Sequence, residues 1–205
     1  MKMQLGLVAL TLAACGGGPE TVADTHAHSS YGWIRHYDPN VRLQTRTGRN
    51  LQWNGPTWLA SDFYQAPNLY PPNPGQSSSG DPITWGEPLA IVIETGGGGM
   101  SFPQYLETPS TSGQPLSNAG GPSAETTWRF LDPSGSARPN APIRCGALVA
   151  IATLDGRYIT DLPHTDAGYH NTVTVASPRW LATGELDGTQ IFKTSCYGYQ
   201  PREEL

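Results

Sequence analysis

One strand-and-turn pattern occurs three times in this chain, and it limits the fold more than any other feature. Val41-x-Leu43-x-Thr45-x-x-Gly48-Arg49-x-Leu51 recurs as Val149-x-Ile151-x-Thr153-x-x-Gly156-Arg157-x-Ile159. A shorter copy, Ile91-x-Ile93-x-Thr95-x-x-Gly98, lies between them. Apolar residues at period two make each start a half-buried strand. Glycine at a fixed offset supplies a tight hairpin turn, and in the first and third copies a second strand follows. One such repeat cannot bury its own apolar face, whereas three around an axis share a core and leave few edges. A second match pairs Pro56-Thr57-Trp58-Leu59-Ala60-Ser61 with Pro178-Arg179-Trp180-Leu181-Ala182-Thr183, and a tryptophan (Trp33, Trp85, Trp128) precedes each copy. Repeated tryptophans are read as core residues. With 24 Gly and 19 Pro among 205 residues, long helices are excluded. Six Trp and nine Tyr with only 14% charged residues exclude a disordered chain. A net charge of −5 argues against a nucleic-acid partner.

Three such repeats suggest an all-β fold of the β-trefoil kind, with a β-sandwich as the alternative. The segment Trp128-Arg129-Phe130, Val149-Ala150-Ile151-Ala152-Thr153, Gly156-Arg157-Tyr158-Ile159 resembles the fascin-like trefoil repeat, an aromatic strand followed by V-x-L-x-T/S-x-x-G-R-Y-L. The resemblance spans about residues 31–199 and is poorest in the middle copy, where Gly99 and Ser101 stand in place of Arg and the second aliphatic. It implies a binding or bundling module.

The amino terminus carries Lys2 and then an apolar or small run from Leu5 to Ala14, the layout of a secretory signal. Leu12-Ala13-Ala14-Cys15 resembles the lipobox of bacterial lipoproteins. The resemblance implies cleavage before Cys15, acylation of Cys15 and a membrane partner through its acyl chains. Gly16 is not an aspartate, so the expected location is the outer membrane. Residues 1–14 are then a signal peptide, 15–30 a flexible tether, and 31–205 one domain. With Cys15 consumed, Cys145 and Cys196 remain, and in an exported chain they are expected to form a disulfide.

Candidate ligand-binding residues come from the segment 62–83, rich in proline, aromatics and amides, read as a long loop of the kind that carries binding. Trp53, Tyr64, Asn68 and Tyr70 offer flat faces and amide groups suited to sugar rings. Tyr105 is likewise read as a loop residue. His164, Asp166 and His170 form a second candidate set, able to hold Zn or Cu in an insertion around 162–175. No G-x-S-x-G elbow and no P-loop is present, no catalytic residue stands out, and no cofactor is expected. The leading expectation is non-catalytic binding of an envelope or extracellular glycan. A protein-interaction or structural envelope lipoprotein is the second, and a metal-dependent hydrolase using residues 164–170 the third.

Overall fold

The computed structural model describes residues 32–63, 65–73, 80–97, 100–162 and 170–196. Its strands are β1 (Val41–Thr45), β2 (Asn50–Asn54), β3 (Thr57–Ser61), β4 (Asn68–Tyr70), β5 (Pro88–Gly97), β6 (Met100–Glu107), β7 (Ser117–Ala119), β8 (Trp128–Leu131), β9 (Leu148–Thr153), β10 (Tyr158–Leu162), β11 (His170–Ala176) and β12 (Phe192–Cys196). A short 3-10 turn at Gly188–Gln190 is the helical element among the described residues.

The two Thr-x-x-Gly-Arg segments close the same turn. Thr45 N–H donates to Arg49 C=O at 2.8 Å and Gly48 N–H to Thr45 C=O at 2.9 Å. Thr153 and Arg157, then Gly156 and Thr153, repeat these bonds at 2.8 and 3.2 Å. Gly48 and Gly156 sit at φ +84° and +83°, where a Cβ is strained. These turns join β1 to β2 and β9 to β10.

The strand pairs are antiparallel, and seven strands close a barrel: β9, β10, β11, β3, β2, β1 and β12, with β12 returning to β9. From β9 the sheet continues through β8, β5, β6 and β7, with β4 also on β5. Because the barrel closes on itself, the sandwich alternative does not hold. The core gathers the period-two residues of every repeat, Val41 and Leu43, Leu89 and Ile91, Val149 and Ile151, all at 0% exposure.

Three backbone relations recur cyclically. Ile34 N–H donates to Ile143 C=O (2.9 Å), Ile83 N–H to Ile34 C=O (2.9 Å) and Ile143 N–H to Ile83 C=O (2.8 Å). Three residues after each isoleucine the chain turns left-handed, at Tyr37 (φ +62°), Gly86 (+80°) and Gly146 (+89°). The N–H of each then donates to a strand, to Leu69 of β4, Phe130 of β8 and Thr194 of β12 at their C=O, at 3.0, 2.9 and 2.8 Å. Cys145 and Cys196 are joined by a disulfide with Cα atoms 5.7 Å apart, and Cys145 N–H donates to Gly32 C=O at 2.8 Å. The bond ties the last strand to the turn that follows Ile143.

This symmetry corrects parts of the repeat reading. Register pairs Leu69 with Ile91, Phe130 with Ile151 and Thr194 with Leu43. Leu89, not Ile91, therefore corresponds to Val41, and the middle copy shifts by two residues. Its hairpin runs on to the pair Gly97–Met100 instead of turning at the equivalent glycine. Trp128 closes the second repeat in β8 rather than opening the third, so Trp33, Trp85 and Trp128 are not equivalent. Trp58 is buried in β3, whereas Trp180 is 57% exposed beyond β11. The Pro-x-Trp-Leu-Ala match is thus coincidental. Asn68, Tyr70 and Tyr105, expected in loops, lie in β4 and β6. Much of the expected 162–175 insertion is strand, since β10 ends at Leu162 and β11 begins at His170.

Candidate functional site: a tyrosine face on the outer sheet

Strands β4, β5, β6 and β7 pair side by side. Alternate residues of a strand share a face, so register assigns every side chain to one side or the other. Leu69, Ile91, Ile93 and Leu106 point into the main core. The opposite side carries Asn68 and Tyr70 of β4, Ala90, Val92 and Glu94 of β5, and Tyr105 of β6. Ala90, Val92 and Tyr105 form a second small apolar cluster there, with Tyr70 packed against it.

Tyr37 completes this face. Its backbone bond to Leu69 C=O docks it on β4, and its ring lies 4.6 Å from that of Tyr70, tilted by 34°. The preceding residue fixes the turn. His36 is 3% exposed, and its Nε2 lies 2.8 Å from Glu87 Oε1, while Thr84 Oγ1 donates to Glu87 Oε2 at 2.6 Å. Burial opposes ionisation of Glu87, but the bonds from His36 and Thr84 outweigh it and hold the carboxyl below its usual range.

The Tyr70 hydroxyl donates to the exposed Glu94 carboxylate. Burial pushes the Tyr70 phenol well above its ordinary value, and the bonded, negatively charged Glu94 pushes it further. Tyr105 is raised by burial, then by Tyr37 and Glu94. These phenols therefore stay protonated as donors across the neutral range. The result is an aromatic step, Tyr37 over Tyr70, edged by Asn68 and an acceptor carboxylate.

Of the sequence candidates, Asn68 and Tyr70 fall together on this face, two residues apart in β4. Trp53 does not join them: it sits opposite Trp58 in the β2–β3 hairpin and packs against the main core. Tyr64, His164, Asp166 and Cys15 lie outside the described residues. His170 opens β11 opposite Ser61, and its side chain lies outside them too. Among the described residues no group of three or more His, Cys, Asp or Glu is placed to hold a metal. Sequence reasoning missed Tyr37 and Glu94 and misplaced Tyr105 in a loop. A signal for Tyr37 existed: it follows Ile34 by three residues, as Gly86 follows Ile83 and Gly146 follows Ile143.

A larger cleft of about 750 Å³ lies between the segment after β6 and the β9–β10 turn. Glu107, Thr108, Glu125, Asp155 and Arg157 line it. Hydrogen bonds from Arg157 and Thr153 push the Asp155 carboxyl down to about 2, so it is already engaged. The cleft holds no aromatic ring.

No family model and no curated protein matches the chain. Solved structures do. The SDF2-like protein from Arabidopsis thaliana superposes with a TM-score of 0.58 at 11% identity, covering 80% of this chain and 94% of that one. The cytolethal distending toxin from Actinobacillus actinomycetemcomitans gives 0.48 at 15% identity, with 80% and 95% covered. That of Haemophilus ducreyi gives 0.48 at 14%, with 78% and 86% covered. The likeness to the SDF2-like protein is one of fold.

Proposed function

We propose that this protein is a non-catalytic glycan-binding lipoprotein of the bacterial outer membrane, built as a β-trefoil and anchored through acylated Cys15. The trefoil reading rests on the cyclic bonds of Ile34, Ile83 and Ile143 and on three hairpins, β2–β3, β6–β7 and β10–β11, at matching places in three repeats. The anchor rests on Leu12-Ala13-Ala14-Cys15 and the apolar run before it. Residues 15–30 act as the tether and 31–205 as the single domain.

One observation carries the binding assignment. Two repeats place glycine at the left-handed position, and the first places Tyr37 there and stacks its ring on Tyr70. Left-handed backbone costs a side chain about 1–2 kcal/mol, and strain of this kind concentrates at functional sites. Stacked phenol faces receive the C–H side of a sugar ring, while Glu94 and Asn68 pair with its hydroxyls. Full-length protein in detergent, screened on a glycan array, tests the reading. Specific hits that Tyr37→Ala and Tyr70→Ala abolish and Trp180→Ala leaves intact are expected. An array without hits, or hits indifferent to both tyrosine changes, removes the assignment.

A further inference from the structure

Away from the tyrosine face, the ends of β10 and β11 hold a buried acid whose charge the fold does not fully answer. Asp161 is 6% exposed. Asn171 and Thr45 donate to its carboxyl, and Thr47 Oγ1 lies 2.9 Å from Thr45 Oγ1. Its Oδ1 has no hydrogen-bond partner. Burying an acceptor of this kind without a donor leaves its lost hydration uncompensated.

Asp161 lines a pocket of about 180 Å³ with Arg46, Thr47, Asn171, Asp187 and Thr189. At about 30 Å³ per water, that is the room of roughly six waters. Arg49 offsets part of the Asp161 charge, and the cationic residue on the pocket wall is Arg46, whose charge also acts on Asp187. The Arg46 side chain lies against the backbone of Gly188, where an added Cβ would come within 2.5 Å of Nη1 and 2.8 Å of Cδ. Gly188 thus makes the berth that holds the guanidinium at the pocket. Asp187 is already engaged: its carboxylate accepts from Thr189 N–H (2.9 Å) and Oγ1 (3.0 Å), with Arg179 Nε at 3.9 Å.

We infer that this pocket binds a small zwitterion of the α-amino-acid class, its ammonium on Asp161 Oδ1 and its carboxylate on Arg46. The ammonium supplies the missing donor and adds to the positive charge that Arg49 already offers. The carboxylate matches the planar fork of a guanidinium. The hydroxyls of Thr47 and Thr189 lie on the pocket wall as further partners. A neutral monosaccharide satisfies Oδ1 but brings no carboxylate to the Arg46 fork.

Titration calorimetry on the full-length protein tests this, with glycine, L-alanine and L-serine as probes and glucose, acetate and methylamine as comparators. Saturable binding of at least one amino acid is expected, at least tenfold tighter than any comparator. Gly188→Ala displaces Arg46 without touching Asp161 and should weaken that binding at least tenfold; Asp161→Asn should do the same. If Asp161→Asn does not fold, Gly188→Ala decides, its fold checked by circular dichroism. Absence of saturable heat with all three amino acids overturns the inference. So does binding unchanged by Gly188→Ala, or glucose binding as tightly as the amino acids. Tyr37→Ala should leave this binding intact, which separates its fate from that of the glycan site.

Discussion

If Tyr37 is held in a strained backbone for the sake of its ring, two truncations at this position should rank in an unusual order. Tyr37→Ala and Tyr37→Gly both delete the ring, so the loss of the Tyr70 stack and of buried area cancels between them. Only the backbone terms differ. Alanine keeps the left-handed strain at φ +62°, about 1–2 kcal/mol, and glycine removes it. Glycine in turn gives up about 0.4–1 kcal/mol through the greater freedom of its unfolded chain. The difference leaves Tyr37→Gly more stable by roughly 0.8 kcal/mol, or about 2–3 °C in Tm for a domain of this size. At an ordinary position alanine is the more stable residue, so the sign is the diagnostic. Urea unfolding of both variants, followed by tryptophan fluorescence and extrapolated linearly, measures it. The mirror experiment is Gly86→Ala at φ +80°, where the new Cβ meets nothing within 4 Å, so strain alone acts. It should destabilise by a similar net amount. An alanine variant at residue 37 more stable than the glycine one would refute the strain argument, and with it the reason for singling out this face.

Three further outcomes are expected. Replacing Cys145 and Cys196 together by alanine opens a loop with a sequence separation of 51 and should cost about 4 kcal/mol in the chain-entropy model. A melting point within 2 °C of the parent would contradict that. Tyr70 keeps its proton in the folded state well beyond the ordinary phenol value of 10.0. Its contribution to stability is therefore fully present below about pH 10 and falls as pH rises above it. Tyr70→Phe should flatten the alkaline unfolding curve, and an unchanged curve would place the phenol in ordinary solvent. Cys15→Ser should leave the precursor unprocessed on a gel of membrane fractions, and normal maturation of that variant would remove the lipid anchor.

What the sequence made legible was local. The Thr-x-x-Gly-Arg turns could be read because the left-handed glycine, its flanking strands and their hydrogen bonds all lie within a dozen residues. The middle repeat could not be framed, because Leu89, Ile91 and Ile93 form an unbroken period-two run in which a shift by two residues keeps every apolar side chain on the same face. The equivalence of Ile34, Ile83 and Ile143 left only a faint trace. Proline precedes Ile83 and Ile143 and glycine follows each by three residues, but the first repeat has Trp33 and Tyr37 at those places, and the relation itself is expressed by backbone amides across distant segments. The tryptophans misled for the same reason: bulk suits a core from many positions, so shared identity did not mean shared place. Residue type alone singles out Asn68 and Tyr70 as candidates, while Glu94 and Tyr105 join their face only through cross-strand register.

The ring of isoleucine amides also bears on how the chain reaches its native state. Ile34 lies 143 − 34 = 109 residues from the carbonyl that accepts its N–H, and β1 pairs with β12 at the other end of the domain. A ribosome that has released only the first two repeats has therefore produced a β1 edge without its neighbour and an amide without its acceptor. Ile34 and β1 gain these native partners only once the last repeat is present. Such closure over long sequence separations is slow, on the order of milliseconds to seconds. During that interval the chain exposes the edges that the barrel later hides, which is when a holdase would have most to protect.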